Sequence, residues 1–445
     1  MKRAFAVVVL GLLVIGPASS QIPGAPATVV AYEPPISSAT FKVTALGNSA
    51  SARDDTTRKV KFRVIKRTGN CCENYLTASS RGRLFDIGGS YVNYTDDMGK
   101  TWDSVRPPAP LVNGEGTMAM GPDGDVLAIE WDPYSGDHLV AYKYDAEGES
   151  WSYLESPLHT PFYDRPWLSV VPGPITTPTG EAEYVTFVDG YPHTGQLLYS
   201  ADGLTYLPAS SPFIDDELEP AVESWIPVKK TPELDWMQPN TNSPIIPLGG
   251  GRALAPPDSF GNTWSLLNPE TLRWAPFTLP DGEAPSGRLL VDGKGRIHNL
   301  RNAAGGFEYR ISTNGGRSWT STVITLPQDT TNVGGLLYDF RANAKLGIAA
   351  VSLHARRGNT DLDILYKLDI RKNKAKVTHL YEIGKGDVDA SNSGPPAQIR
   401  FDFATLAILP DGKLAVSFLD STTDGAMHLA EVAINRLGPA LAIEL

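Results

Sequence analysis

The side chains able to move protons or grip anions fall in a few short polar segments between apolar runs. HTPFYDRPW (159–167) carries Asp164 and Arg165, and DGYPHTG (189–195) carries Tyr191 and His193. WDPYSGDH (131–138) follows directly on Glu130, and LHARRGNTDLD (353–363) carries His354 and Arg356. GDVDASNSGPPAQIRFDF (386–403) contributes Arg400, and the two cysteines, Cys71 and Cys72, are adjacent in NCCEN (70–74). Two carboxyl groups a few ångströms apart would serve glycoside hydrolysis, one as acid and the other as base or nucleophile. Asp164 and Glu130 are the candidates, with Glu73 and Asp402 behind them. A His or Tyr that abstracts a proton, beside an Arg that neutralises a uronate, would instead serve elimination from a polysaccharide, and His193 and Tyr191 suit that role. Arg165, Arg356 and Arg400 are the expected anion contacts, because a guanidinium fork holds a carboxylate through two bonds and stays charged. His354, Cys71 and Cys72 complete the expected binding set. A binding module without catalysis would use the same residues.

Other chemistries find no support. There is no His-x-x-x-His, no cysteine pair at zinc spacing, no acidic calcium loop, no Walker or dinucleotide fingerprint and no Gly-x-Ser-x-Gly elbow. Neither a metal nor a cofactor is expected. Neighbouring Cα atoms lie ~3.8 Å apart, below the usual ~4.4–6.8 Å disulfide window, so a Cys71–Cys72 bond would be strained. Free thiols and a vicinal bond both remain open. The chain carries 39 basic and 50 acidic residues, a net charge of −11. Nothing basic is concentrated enough to follow a phosphate backbone, so nucleic acid is not an expected partner.

The elements that must position these residues repeat along the chain. An apolar strand, a tight Gly- or Asn-containing turn and a second apolar strand recur seven times. The copies are YLTASSRGRLFDIG (75–88), TMAMGPDGDVLAIEW (117–131), WLSVVPGP with EAEYVTFVDG (167–190), SPIIPLGGGRALAP (243–256), RLLVDGKGRIHNL (288–300), GLLYDFRANAKLGIAAVSL (335–353) and ATLAILPDGKLAVSFLD (404–420). Their spacing, mostly about 40–50 residues, suits four-stranded blades. The fold class is therefore all-β, a single β-propeller with seven blades preferred over six. An early strand, TFKVTAL or VKFRVIK (within 40–66), should close the ring against the last blade and remove the exposed sheet edge. An acidic, Pro-rich insertion at about 208–242 should lie as a long loop over the functional face.

TDDMGKTW (95–102) fits Ser/Thr-x-Asp-x-Gly-x-Thr/Ser-Trp at every defined position, and STNGGRSW (312–319) fits with Asn314 in the Asp place. DAEGESW (145–151) and SADGLTY (200–206) keep the second half. Asp97 should accept neighbouring backbone N–H groups, Gly99 should take a positive φ, and Trp102 should bury its ring between blades. On these motifs residues 70–435 resemble the Asp-box propellers, of which sialidases are the best-known enzymes. The resemblance implies a propeller whose Asp boxes join third and fourth strands, on the face away from the active site. It does not extend to the sialidase Phe/Tyr-Arg-Ile-Pro motif. FRVI (62–65) places Arg63 on a strand too early for the first catalytic blade, and NCCEN stands where the motif should be. By this orientation the polar segments above all belong to the face opposite the Asp boxes. The implied function is glycan recognition, with glycoside hydrolysis first and polysaccharide elimination or plain binding as alternatives.

Lys2 and Arg3, an apolar run from Ala4 to Ile15 and the small residues Ala18 and Ser20 form a signal-peptide pattern. Residues 1–20 are thus expected to be removed, 21–40 to form a Pro-rich leader and 41–445 to form the propeller, in a secreted or periplasmic protein with no membrane partner. Intact-mass measurement of exported protein should show an N-terminus at Gln21, within two residues. Retention of residues 1–20 in a membrane fraction would contradict this.

Overall fold

The computed structural model describes residues 36–37, 40–44, 57–67, 75–87, 92–97, 101–105, 115–132, 138–146, 150–156, 164–191, 197–209, 227–237, 245–255, 264–277, 287–332, 339–358, 360–387, 401–420 and 429–435. Among them the strands form seven antiparallel sheets. Their innermost strands, in order, are Tyr75–Ala78, Glu115–Met120, Asp164–Thr177, Ile246–Gly249, Arg288–Val291, Asp339–Asn343 and Phe401–Ile408. We number the sheets 1 to 7 by these strands. Each inner strand touches the next, and the seventh touches the first, so the sheets stand in a ring about a central channel. The fold is a β-propeller.

Closure follows the expected device. Thr57–Arg67 pairs with Leu429–Asn435, which makes an N-terminal strand the fourth of sheet 7. Arg63 sits on this outer strand opposite Ile434, three strands from the channel. Thr40–Thr44 and Ile36–Ser37 pair with the other edge of Thr57–Arg67.

Two kinds of turn build one face. Between first and second strands the same closed turn recurs: the N–H groups of Gly82, Gly124, Gly295 and Gly412 donate to the carbonyls of Ser79, Gly121, Asp292 and Leu409 at 2.8–3.1 Å. Between third and fourth strands a side chain organises the turn. Asp97 Oδ1 accepts from Thr95 Oγ1 and Thr101 N, and its Oδ2 accepts from Thr101 Oγ1, all at 2.9–3.0 Å. Asp202 repeats this with Ser200 and Thr205 at 2.7–2.9 Å. Asn314 does so with Ser312 and Ser318, its amide nitrogen donating to Ser318 Oγ where an aspartate would accept. Gly203 and Gly316 supply the positive φ values, 78° and 83°, that these turns need. Gly99 and residues 147–149 lie outside the described residues.

The aromatic after each such turn packs toward the preceding sheet. Trp102 of sheet 1 is 6% exposed and shares a cluster with Ala407, Leu409 and Ala415 of sheet 7. Its indole nitrogen finds no acceptor among the described residues. Trp151 of sheet 2 meets Phe85 of sheet 1 edge-on, with ring centroids 6.5 Å apart. Tyr206 of sheet 3 is buried in the cluster that contains Leu127 of sheet 2. Trp274 of sheet 4 stands T-shaped on Phe187 of sheet 3, with centroids 5.6 Å apart. Trp319 differs from its expected burial. It is only half-buried against the cluster of sheets 4 and 5, with the Arg310 guanidinium 4.5 Å above its ring.

Truncating a buried Trp typically costs ~3–5 kcal/mol. Denaturant melts should show that loss for Trp102→Ala and Trp274→Ala. Trp319→Ala, which gives up partial burial and a cation–π contact, should cost less, on the order of 1–3 kcal/mol. Equal, negligible losses at all three would contradict the wedge role.

Candidate functional site

The channel has an entry face, where the chain enters each inner strand, and a turn face carrying the tight turns. At the entry end four inner strands begin with charged residues, Glu115 on sheet 2, Asp164 on sheet 3, Arg288 on sheet 5 and Asp339 on sheet 6, and the side-chain surroundings are described for the last two. An inner strand next to the axis has little water to solvate a charge, so each needs a partner. Asp339 is fully buried and finds several. Its Oδ2 accepts from Arg341 Nε at 3.1 Å, from Arg341 Nη2 at 3.0 Å and from Leu406 N at 2.8 Å, while Oδ1 accepts from Phe340 N at 2.8 Å. The Leu406 bond ties sheet 6 to sheet 7. Burial pushes the Asp339 carboxyl above its ordinary value, and the Arg341 charge and the two N–H groups offset only part of that. Burial also presses against the charge on half-buried Arg288, while Asp339 and Tyr75 of sheet 1 favour it. Two guanidinium groups and one carboxylate thus meet inside the channel of an acidic protein.

Arg341 lines a cavity of about 20 Å³ together with Thr77, Ala78, Leu406–Ile408 and, from the insertion, Asp235 and Trp236. That volume holds about one water molecule. Residues 227–237 of the insertion cross the turn-face side of sheets 4 to 6. Val228 N bonds Leu248 O at 2.9 Å and Thr231 N bonds Gly293 O at 3.1 Å. Pro232–Asp235 forms a single 3₁₀ turn, Leu234 enters the cluster between sheets 4 and 5, and Met237 enters the cluster of sheets 1 to 3. The expectation that the insertion lies over the functional face is corrected for this part. Buried apolar side chains and the backbone amides of the turns draw it to the opposite end of the channel.

The predicted site residues divide into three groups. Glu130 and His354 are fully buried, with no exposed surface, so in this arrangement neither meets a ligand. Glu130 accepts a 2.8 Å bond from Tyr142, whose residue on the neighbouring strand stands opposite Ala128. His354 stands opposite Asp363. Arg356 is partly exposed, opposite Asp361 on one side and Thr331 on the other. The segment 353–363 was expected to be a loop but is the end of a hairpin. Ile348–Arg357 runs past the last pair with the inner strand, Asp339–Ser352, because Thr330–Asn332 supplies a new partner there. Five residues at ~3.3 Å each carry this hairpin ~16 Å beyond the inner strand on the entry side.

Asp164, Arg165 and Tyr191 are placed by their backbone. Asp164 and Tyr191 are cross-strand partners at the entry end of sheet 3. An irregularity in pairing between Asp164 and Trp167 takes up Arg165 and Pro166, the latter lacking the N–H a regular ladder needs. His193, Arg400, Cys71 and Cys72 lie outside the described residues, as do Gln21 and the whole signal-peptide pattern. Sequence reasoning missed Arg288, Asp339 and Arg341. Their signal is a charge set into an otherwise apolar inner strand, GRLLVDG and YDFRANA.

A second buried relay is structural. Tyr309 Oη and Asp292 Oδ2 each lie 2.8 Å from a ring nitrogen of His298, and Arg296 Nε reaches Asp292 Oδ2 at 2.7 Å. Burial opposes the Asp292 charge, but His298 and Arg296 outweigh it and hold the carboxyl well below its usual range. The group is enclosed at the turn between the first two strands of sheet 5, away from the entry face.

No protein-family model matches the chain, and no curated protein matches it. Solved structures of similar shape include a mitotic checkpoint complex chain at 8% identity, with 87% of this chain and 96% of that one covered and a TM-score of 0.44. A polysaccharide lyase described as a PL25 ulvan lyase is 12% identical, with 83% and 96% covered and a TM-score of 0.38. The NanB sialidase of Streptococcus pneumoniae is 13% identical, with 89% and 70% covered and a TM-score of 0.33. None of these identifies the chain.

Removing one member of a buried ion pair leaves the other uncompensated, at a cost of ~3–5 kcal/mol. Arg341→Met should therefore destabilise strongly in chemical denaturation. Adding Asp339→Asn should restore a large part. Additive losses in the double variant would contradict the pairing.

Proposed function

We propose that this is an exported, carbohydrate-acting propeller of the Asp-box type that binds an acidic saccharide in the depression on its entry face. The observation that carries the reading is the Arg288–Asp339–Arg341 group at the entry end of the channel. Arg288 and Arg341 bring two guanidinium groups to this end of the channel, and a uronate or sulfate group is the kind of anion such a fork holds through two bonds. The chain as a whole is acidic, so this charge is not a reflection of composition.

The chemistry acting on the bound glycan would come from the neighbouring rim. Asp164 beside Tyr191 provides an acid and a phenol on adjoining strands, with His193 two residues on. Hydrolysis would use Asp164 with a second carboxyl group. Elimination would use Tyr191 or His193 as base, with the channel arginines neutralising the uronate. The pairing of a phenol with a carboxylate on sheet 3 favours elimination as the second reading. Glu130 and His354, being enclosed, would support the rim and not touch the glycan.

Purified protein offered uronate-bearing, sulfated, sialylated and neutral glycans should bind acidic ones selectively. Arg288→Ala should weaken that binding about tenfold or more, the size of one charged hydrogen bond. Equal binding of neutral glycans, or no effect of Arg288→Ala, would overturn the reading. An unsaturated product would mark elimination, and a new reducing end without unsaturation would mark hydrolysis.

The Asp339 carboxyl is raised above the ordinary value of ~3.9. As pH falls from 7 toward that raised value, protonation removes the negative neighbour of both arginines. Affinity for an acidic glycan should therefore rise as pH falls within that window. Asp339→Asn should bind tightly throughout with a flattened profile, and an unchanged profile in that variant would contradict the assignment.

A further inference from the structure

The insertion is built into the turn face in a way its sequence does not announce. Asp235 places one carboxylate against three backbone amides from two sheets: Gly293 N at 2.9 Å and Ala344 N at 2.7 Å from the opposite side, with Lys345 N at 3.1 Å. Its own carbonyl accepts from Asn343 Nδ2 at 3.4 Å. The turns beneath are shaped to receive it. A Cβ on Gly293 would stand 2.9 Å from both Asp235 Oδ2 and the Cα of Pro232, and one on Gly249 would stand 2.7 Å from Thr231 Oγ1. On its channel side, Asp235 and Trp236 line the same small cavity as Arg341. Arg341 in turn holds Asp339, which acts on Arg288.

We propose that residues 227–237 are a positioning strap that backs Arg341 from the turn face and so sets the arginine pair for an acidic ligand arriving from the entry face. The strap touches no ligand. It acts through Arg341, whose guanidinium would otherwise border an open channel and be free to leave Asp339. This rests on the acidic-saccharide reading above. The charged groups facing Asp235 are Arg341 across the cavity, Asp292 at the turn of sheet 5 and Lys345 at the turn of sheet 6. Burial raises the Asp235 carboxyl, and the three amides oppose that rise.

Two variants disturb the strap and leave Arg288, Asp339 and Arg341 themselves unchanged. Gly293→Ala forces Asp235 and Pro232 away at a position whose φ any residue adopts. Asp235→Asn keeps the shape and removes the charge the amides bind. Amide exchange should accelerate at Ala344 and Lys345 in both. Binding is then measured at pH 7 with an oligomer of glucuronate and with a neutral glucose oligomer of equal length. Affinity for the glucuronate oligomer should fall about tenfold, the scale of one charge-assisted contact, while any weak binding of the neutral oligomer stays unchanged. Faster exchange with unchanged glucuronate binding would make the strap a stabilising element only and overturn the proposal. So would equal loss for both oligomers, or unaccelerated exchange in both variants. If the parent protein binds neither that oligomer nor any other acidic glycan, the acidic-saccharide reading itself fails and the proposal falls with it, a result distinguishable from the others.

Discussion

A four-stranded sheet of this chain has two apolar faces and only its neighbours in the ring to cover them. Leu127 of sheet 2 and Tyr206 of sheet 3, or Phe187 of sheet 3 and Trp274 of sheet 4, are buried in clusters to which neighbouring sheets contribute together. No sheet can be satisfied until the ring is complete, which makes closure the condition for every other feature. The early strand Thr57–Arg67 meets it by pairing with Leu429–Asn435, so the last sheet joins an early segment to a late one. Trp102 then seats against sheet 7 at that same junction, so packing and strand pairing close the ring together.

Closure also creates the environment that gives the channel charges their meaning. Asp339 and Arg341 sit where solvent is scarce, and bonds to Leu406 on the next sheet hold Asp339 in place. A carboxylate shared in this way links sheets 6 and 7 and orients one guanidinium. At the far end the insertion crosses the turns, where Asp235 accepts from three of their backbone amides.

Much of the ring was legible in the sequence because its signals are local. TDDMGKTW and STNGGRSW carry both halves of their turn in eight residues, and the observed bonds of Asp97 and Asn314 lie within that span. Each of the seven repeated units supplies the first two strands of one sheet. VKFRVIK could be read as a closing strand because it precedes the first repeated unit. Trp274 was not singled out, since LNPETLRW forms its turn with Asn268 and a positive φ at Leu272 and lacks the motif. The segment 353–363 was misread as a loop because its partner, Thr330–Asn332, lies more than twenty residues away. The strap was illegible for the same reason: Asp235 is 58 residues from Gly293 and 109 from Ala344. Glu130 and His354 could be assigned to the right end of their strands, but not to burial, because exposure depends on neighbouring sheets.

The central claim is that an acidic group enters from one face only and ends between Arg288 and Arg341. A crystal structure of the protein with a glucuronate oligosaccharide tests it most directly. The account predicts a carboxylate within hydrogen-bond reach of both guanidinium groups, with the sugar chain leading out past sheet 3 and residues 227–237 undisturbed below. A saccharide bound on the turn face, along an outer strand, or in the channel with its carboxylate turned away from both arginines would contradict it.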